Sequence, residues 1–194
     1  MRLNMGKHLA TAIAGLWVAL AANAYAADIE RGDPGVSRER GLLHYQGEPL
    51  TSALVERGEG GLVLSRTEYL AGLKHGASER YNDQGKRRRL TIYVAGKRHG
   101  DQLSWHASGQ LQSRTPYVDG LIDGVSEQFS ASGQLLQRQR HRSGREEGLQ
   151  QSWHEDGELA FAYVYRDGRR YGVLGSKPCF TVNPSAEVVF NEGL

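Results

Sequence analysis

The sequence has little cysteine, no excess of one charge and no apolar run long enough to cross a membrane. Cys179 is the single cysteine among 194 residues, which excludes an internal disulfide framework. A small buried side chain and a disulfide to another chain are the two roles left for it. The apolar, charge-free run at residues 9–22 has 14 residues, fewer than the roughly 20 of a membrane-spanning helix. A membrane anchor is therefore the weaker of two interpretations of that run.

The stronger interpretation is a cleaved export signal. Arg2 and Lys7 precede the apolar run, and the small residues Ala24 and Ala26 follow it. Basic, apolar and small-residue regions in this order are what a signal peptidase recognises. We therefore predict a signal peptide at residues 1–26, cleavage after Ala26 and a periplasmic location. Removing 26 of the 194 residues leaves 168, which suits one domain.

The charge balance gives no reason to expect a nucleic-acid partner. Loss of the leader lowers Lys+Arg from 24 to 22, equal to the 22 Asp+Glu, so the exported chain has no formal net charge. Nucleic-acid-binding domains are usually strongly basic. We therefore predict no nucleic acid among the partners.

A 24-residue repeat dominates the rest of the chain. Five aligned columns recur over four or more copies, and such a fixed period predicts a tandem-repeat architecture. Tyr45 and Gly61 fall near the expected positions upstream and predict a degenerate capping copy. The columns are Tyr69, Tyr93, Tyr117, His141 and Tyr165; Gly72, Gly96, Gly120, Gly144 and Gly168; Gly76, Gly100, Gly124, Gly148 and Gly172; Tyr81, Trp105, Phe129 and Trp153; and Gly85, Gly109, Gly133 and Gly157.

Each unit is predicted to be a pair of β-strands. Apolar and polar residues alternate over residues 103–117, and we place the odd-numbered ones, from Leu103 and Trp105 to Tyr117, on a single apolar face. Pairs such as Ser108-Gly109 supply the positive φ of tight hairpin turns. The predicted fold is all-β: an elongated antiparallel β-meander of tandem 24-residue hairpin repeats in a single-layer twisted sheet. The predicted segments are an N-terminal segment at 27–44, a repeat domain at 45–172 and a C-terminal capping tail at 173–194.

The repeat resembles MORN-type repeats, in which Tyr-x-x-Gly-x-x-x-Gly recurs. His75 before Gly76 and His99 before Gly100 match the motif, while later units have other residues in place of the histidine. The 24-residue unit is most similar to the MORN-variant repeats of the YwqK-type antitoxin family. The resemblance extends over residues 69–172 and, more weakly, over 43–68.

The resemblance implies an antitoxin or immunity protein that occupies a toxin by direct contact. With the predicted leader, inhibition would take place in the periplasm. Some exported relatives look like immunity proteins for secreted antibacterial phospholipases, which implies a type VI secretion effector as one toxin class.

No arrangement for catalysis, metal or cofactor binding is apparent in the sequence. His106 and His154 occupy one column two repeats apart, about 20 Å along the predicted sheet, too far for one Zn²⁺. Glu155 and Asp156 follow His154 at a predicted hairpin tip, where a turn is the simpler explanation. We therefore predict that the protein is not an enzyme and has no catalytic residues, metal or cofactor; a hydrolase is the least favoured of three hypotheses.

Aromatic and basic side chains are the candidate binding residues. We expect the aromatic columns to form ladders of touching rings, part of which would contact a protein partner. Two basic runs, residues 86–89 and 138–142, suit a solvated strand edge or, alternatively, a patch for anionic lipid or an acidic partner. An envelope scaffold that binds lipid or another periplasmic protein is therefore the second hypothesis. The candidate residues are Tyr93, Trp105, Tyr117, Phe129, Trp153, Tyr165, Arg87, Arg89, Arg138 and Arg140.

Overall fold

The computed structural model describes residues 26–172, whose regular secondary structure is almost entirely β-strand. Apart from Ala26, the predicted signal peptide lies outside the described residues, as do Cys179 and the predicted tail. One short 3-10 helix, Glu59–Gly61, interrupts the strands. The strands of the described part are β1 Ala26–Glu30, β2 Val36–Glu39, β3 Leu42–Tyr45, β4 Glu48–Pro49, β5 Ser52–Arg57, β6 Val63–Leu70, β7 Leu73–Tyr81, β8 Arg87–Val94, β9 Lys97–Arg98, β10 Gly100–Trp105, β11 Leu111–Val118, β12 Leu121–Ile122, β13 Gly124–Phe129, β14 Leu135–Arg142, β15 Arg145–Trp153, β16 Leu159–Arg166 and β17 Arg169–Tyr171.

The strands form one long, open sheet in which neighbours in sequence are neighbours in space. Its order is β1-β5-β6-β7-β8-β10-β11-β13-β14-β15-β16-β17, with β9 paired to β8 and β12 to β11. From β5 onward every pairing is antiparallel, which confirms the predicted β-meander. At the first edge β1 runs parallel to β5, a pairing that the hairpin pattern did not predict.

The first turn of each repeat is a tight hairpin with two residues at positive φ. Asp119 has φ 50° and Gly120 has φ 89°, the combination that defines a type I′ turn and matches the twist of the flanking strands. The Gly120 amide also donates to the Arg98 carbonyl at 2.8 Å, so the turn is hydrogen-bonded to the preceding repeat. The predicted hairpin turns at this column are confirmed, and the equivalent pairs are Ala71-Gly72, Ala95-Gly96, Ser143-Gly144 and Asp167-Gly168.

The second turn of each repeat is wider and shifts the strand register. In the turn before β11, the Gly109 amide donates to the His106 carbonyl at 2.9 Å, and Gly109 has φ 93°. A β-turn followed by a glycine at positive φ is the usual form of a hairpin with a bulge. The pairing accordingly slips by one residue between Ser104 and Trp105.

The apolar core lies at the N-terminal end of the sheet. Strands β2, β3 and β4 form a separate small sheet. Its Leu43 is buried together with Leu50, Leu54 of β5 and Tyr69 of β6, so the small sheet packs on one face of the large one. β3 crosses the predicted boundary between residues 44 and 45, and the predicted segment limits stay a prediction.

Candidate binding surface

The strand register divides the aromatic columns between two faces of the sheet, which corrects the predicted single apolar face. Ser104 lies opposite Ser113, and Leu103 lies opposite Arg114. Odd-numbered residues of β10 therefore share a face with even-numbered residues of β11. Leu103 and the neighbouring Trp105 point away from the face of Tyr117. The prediction was wrong because the turn between the strands exchanges odd and even positions.

We call the two sides the tyrosine face and the tryptophan face. On the tyrosine face, Thr67, Ser78 and Thr91 are successive cross-strand partners. On the tryptophan face, Glu79 lies opposite Leu90, which lies opposite Leu103. Of the predicted binding aromatics, the tyrosine face has Tyr93, Tyr117 and Tyr165, and the tryptophan face has Trp105, Phe129 and Trp153.

The predicted ladder of touching rings is also wrong. Within residues 26–172 the one stacked pair is Phe161 and Tyr163, whose ring centroids lie 6.0 Å apart. Tyr117 is 7% exposed, and the other five predicted aromatics are half-buried. Their role in binding a partner stays a prediction.

Cations stack on the tyrosines in place of other rings. The Lys74 ammonium lies 5.0 Å from the ring centroid of Tyr93. One repeat later, the Arg98 guanidinium lies 4.0 Å from the ring centroid of Tyr117 and donates to its hydroxyl at 2.8 Å. Such contacts stabilise by about 0.5 to 2 kcal/mol, more when water is excluded. A cation one repeat before a tyrosine therefore occurs at two consecutive junctions of this face, and Ile122 takes the place of the cation in the next repeat.

Hydroxyl and amide groups form a buried polar row along the middle of the tyrosine face. Thr67 and Ser78 share a hydrogen bond of 2.9 Å, and the Thr91 hydroxyl donates to the Gln102 side-chain oxygen at 3.3 Å. Further along, Gln150 is fully buried and its amide donates to the Arg140 carbonyl at 2.8 Å. The donors of this row are thus satisfied, as buried donors require, whereas the side-chain oxygen of Gln150 is buried without a hydrogen-bond partner in the described chain.

Four cations surround a recess on the tyrosine face, which we call the basic groove. The recess has a volume of about 220 Å³. Arg80 of β7 lies directly opposite Arg89 of β8. No carboxylate of residues 26–172 lies within 4.0 Å of the charged nitrogens of any of the four. The lining residues are Lys74, Ser78, Arg80, Arg89, Thr91, Tyr93, Arg98 and Gln102.

The electrostatics of the groove act on Lys74. Burial lowers the pKa of the Lys74 ammonium below its ordinary value of 10.5, and repulsion from Arg80, Arg38 and Arg31 lowers it further. The lowered pKa means that the groove disfavours the positively charged form of Lys74. An anion bound in the groove would oppose that effect.

On the tryptophan face, by contrast, arginines are paired with carboxylates across neighbouring strands. Arg87 contacts Glu79 at 2.9 Å and lies 5.8 Å from the Trp105 ring centroid. The further pairs are Arg114 with Asp101 and Arg138 with Glu127, each at 2.9 Å. Arg140 on the same face has no carboxylate within 4.0 Å among residues 26–172, so what distinguishes the tyrosine face is the grouping of four unpaired cations around one recess.

The four predicted basic residues do not form one patch. Arg87 lies opposite Tyr81, while Arg89 lies opposite Arg80, because the pairing slips by one residue between those two partners. Arg87 and Arg89 consequently lie on opposite faces, with Arg89 alone in the basic groove. The other two, Arg138 and Arg140, lie opposite Glu127 and Val125 on the tryptophan face.

Sequence reasoning missed three of the four groove cations: Lys74, Arg80 and Arg98. A signal was present, since Lys74 and Arg98 occupy the same position of consecutive repeats. Arg80 has no counterpart in the next repeat, where Ser104 takes its place, so only the strand register places it here.

Within residues 26–172 no group of three or more His, Cys, Asp and Glu side chains is arranged to hold a metal ion. The same part of the chain contains no helix with the length and apolar character needed to cross a bilayer. The predictions that the protein is not an enzyme and uses no metal or cofactor are not tested by these observations.

The fold and the repeat chemistry define a tandem β-hairpin repeat protein. A family model described as MORN repeat variant matches residues 98–119, the unit that contains the Arg98–Tyr117 contact. The match places a MORN-type repeat at residues 98–119, and such repeats are consistent with binding a protein or associating with a membrane. No curated protein matches the chain.

Proposed function

We propose that this is a periplasmic immunity protein that neutralises a secreted antibacterial toxin by direct contact. The observation that supports it most is the basic groove, where Lys74, Arg80, Arg89 and Arg98 lie together without a carboxylate partner in the described chain. Complementary charge speeds association and selects the partner. The finer assignment to a YwqK-type family, and a type VI phospholipase as the toxin, rest on the resemblance of the repeat.

The architecture suits inhibition by occupation. Backbone hydrogen bonds between neighbouring strands hold the sheet along its whole described length. A surface ordered before binding loses less conformational entropy when the complex forms. The exposed Arg80 and Arg89 would contact the toxin first, and half-buried Tyr93 would add apolar area beside them. The toxin would be blocked because its active site or its assembly surface is covered.

The test is survival of cells that carry the toxin gene encoded beside this one. Deleting the gene for this protein should kill cells when the toxin enters the periplasm, and restoring the full chain should rescue them. A chain without residues 1–26 is the matched control, because it would stay in the cytoplasm and should give no rescue. Survival of the deletion strain, or rescue by the leaderless chain, contradicts the proposal.

An envelope scaffold that contacts anionic lipid is the second candidate, and the exposed Arg80 and Arg89 favour it. It predicts co-sedimentation with phosphatidylglycerol vesicles that weakens as salt is raised, because exposed charges are screened. Arg80→Gln with Arg89→Gln should abolish that binding. Arg87→Gln with Arg114→Gln removes the same charge from the tryptophan face and is the control. Sedimentation that is equal for all three proteins would reject this candidate.

A further inference from the structure

We infer that the basic groove is a carboxylate-recognition site that takes an acidic, extended segment of the protein partner. The inference rests on the proposed function in one respect, because it names the chemistry by which the partner is bound. It adds which residues bind and what they recognise.

The positive charge of the groove is uncompensated within the described chain. Arg80 and Arg89 are direct cross-strand partners, and like charges in that position destabilise a sheet. Glu56 lies two strands away in the same row, but it already contacts Arg31 at 3.2 Å and accepts a hydrogen bond from Ser65 at 3.1 Å. The described chain thus keeps a repulsive arginine pair, which an external anion would relieve.

The donors of the groove suit a carboxylate. Arginine guanidinium groups offer two parallel N–H donors and bind carboxylates in a bidentate manner. The Gln102 side-chain amide lines the recess between the arginine pair and the Lys74–Arg98 pair, while the Ser78 and Thr91 hydroxyls are hydrogen-bonded to Thr67 and Gln102. A carboxylate placed here would find charged and neutral donors on several sides.

The depth and spacing of the cations favour a peptide over a lipid surface. Lys74 and Arg98 are half-buried and stack on Tyr93 and Tyr117, so they do not protrude toward a flat bilayer. Arg80 lies six positions after Lys74 in β7, a span of roughly 20 Å for an extended strand. A narrow, extended chain with carboxylates at both ends of a six- to eight-residue stretch would reach both pairs of cations.

The experiment measures binding of a fluorescently labelled octaglutamate peptide, with both ends blocked. The protein is purified in the form in which the cells that produce it process it, with no further cleavage. Fluorescence anisotropy at low salt gives Kd. Arg80→Gln with Arg89→Gln should raise Kd at least tenfold. Arg87→Gln with Arg114→Gln removes two charges from the opposite face and should change Kd by less than threefold. Circular dichroism of both variants checks that the sheet is formed.

Further probes separate the possible sources of the anion. An octaglutamine peptide and inorganic phosphate should not compete below millimolar concentration, and phosphatidylglycerol vesicles should bind more weakly than the acidic peptide. Equal weakening by both double variants, no binding of octaglutamate, or preference for the vesicles overturns the inference.

The survival test, run with Arg80→Gln and Arg89→Gln, distinguishes the carboxylate site from the proposed immunity function. If Arg80→Gln with Arg89→Gln still protects cells from the toxin, the groove inference fails and the proposed function stands. If octaglutamate binds at the groove but deletion of the gene leaves cells alive, the proposed function fails and the carboxylate site stands.

Discussion

The Arg98 guanidinium lies 4.0 Å from the ring centroid of Tyr117 and donates to the tyrosine hydroxyl at 2.8 Å. Tyr93 occupies the same position one repeat earlier. The Lys74 ammonium lies over its ring in the same way, 5.0 Å from the ring centroid. Two consecutive junctions between repeats are therefore held on this face by a cation on a tyrosine, together with backbone hydrogen bonds.

Arg98→Ala should lower the free energy of unfolding by about 1 to 2 kcal/mol, because it removes a cation–π contact and a hydrogen bond to a buried ring. Urea unfolding followed by circular dichroism measures the change. Lys97→Ala, at the exposed neighbouring position, is the control and should stay within about 0.5 kcal/mol of the wild type. Equal effects of the two substitutions would mean that the stacked pair adds nothing.

Gly109→Ala tests the second turn of the repeat. Nothing lies within 4 Å of a Cβ at this position, so the cost comes from φ 93° alone and should be about 1 to 2 kcal/mol. Gly32 is equally open but does not have a positive φ, so Gly32→Ala should be nearly neutral. Thermal unfolding of the two variants compares them. A neutral Gly109→Ala would be inconsistent with the positive φ of this turn.

Arg89→Thr should stabilise the protein, an unusual direction for a substitution within a strand. It removes the repulsion from Arg80 and should raise the free energy of unfolding by about 0.2 to 1 kcal/mol at low salt. The gain should shrink in 0.5 M NaCl, where exposed charges are screened. Arg138→Thr is the control, because it breaks the 2.9 Å contact with Glu127 and should not stabilise. Destabilisation by Arg89→Thr would show that the arginine pair is not repulsive.

Tyr69→Phe should reduce the fall in the free energy of unfolding at alkaline pH. Burial raises the pKa of the Tyr69 phenol above its ordinary value of 10.0, and Arg38 and Arg31 offset part of that rise. As pH rises, the phenol therefore loses its proton in the unfolded chain before it does so in the folded protein. The contribution of Tyr69 to the free energy of unfolding is complete below about pH 10 and is lost as pH rises through the folded-state pKa. Urea unfolding at pH 7 and pH 11 should show a smaller fall for Tyr69→Phe than for the wild type. An equal fall would mean that burial does not shift this phenol.

The repeat period and the turns could be predicted because they depend on local chemistry. Glycines such as Gly120 and Gly109 are needed where φ is positive, and they recur at fixed spacing in the sequence. The order of strands follows, since each hairpin can pair only with its neighbours. The open antiparallel sheet was predictable for this reason.

The assignment of side chains to faces was not predictable from alternation alone. A slip of one residue at each wide turn exchanges the faces, so Arg87 and Arg89 separate although they are two residues apart. The small sheet of β2, β3 and β4 also has no repeated pattern, and its Leu43 becomes buried through contacts with distant residues. The basic groove depends on the cross-strand register of β7, β8 and β10 and was therefore missed.

The measurement that tests the proposed function most directly is photo-crosslinking from positions 89 and 87 in cells that produce both this protein and the toxin that it is proposed to neutralise. A photoreactive residue in place of Arg89 lies on the tyrosine face, and one in place of Arg87 lies on the opposite face. The account predicts a covalent adduct with the toxin from position 89 and little or none from position 87. Equal adducts from both positions, or an adduct from position 87 alone, would contradict it.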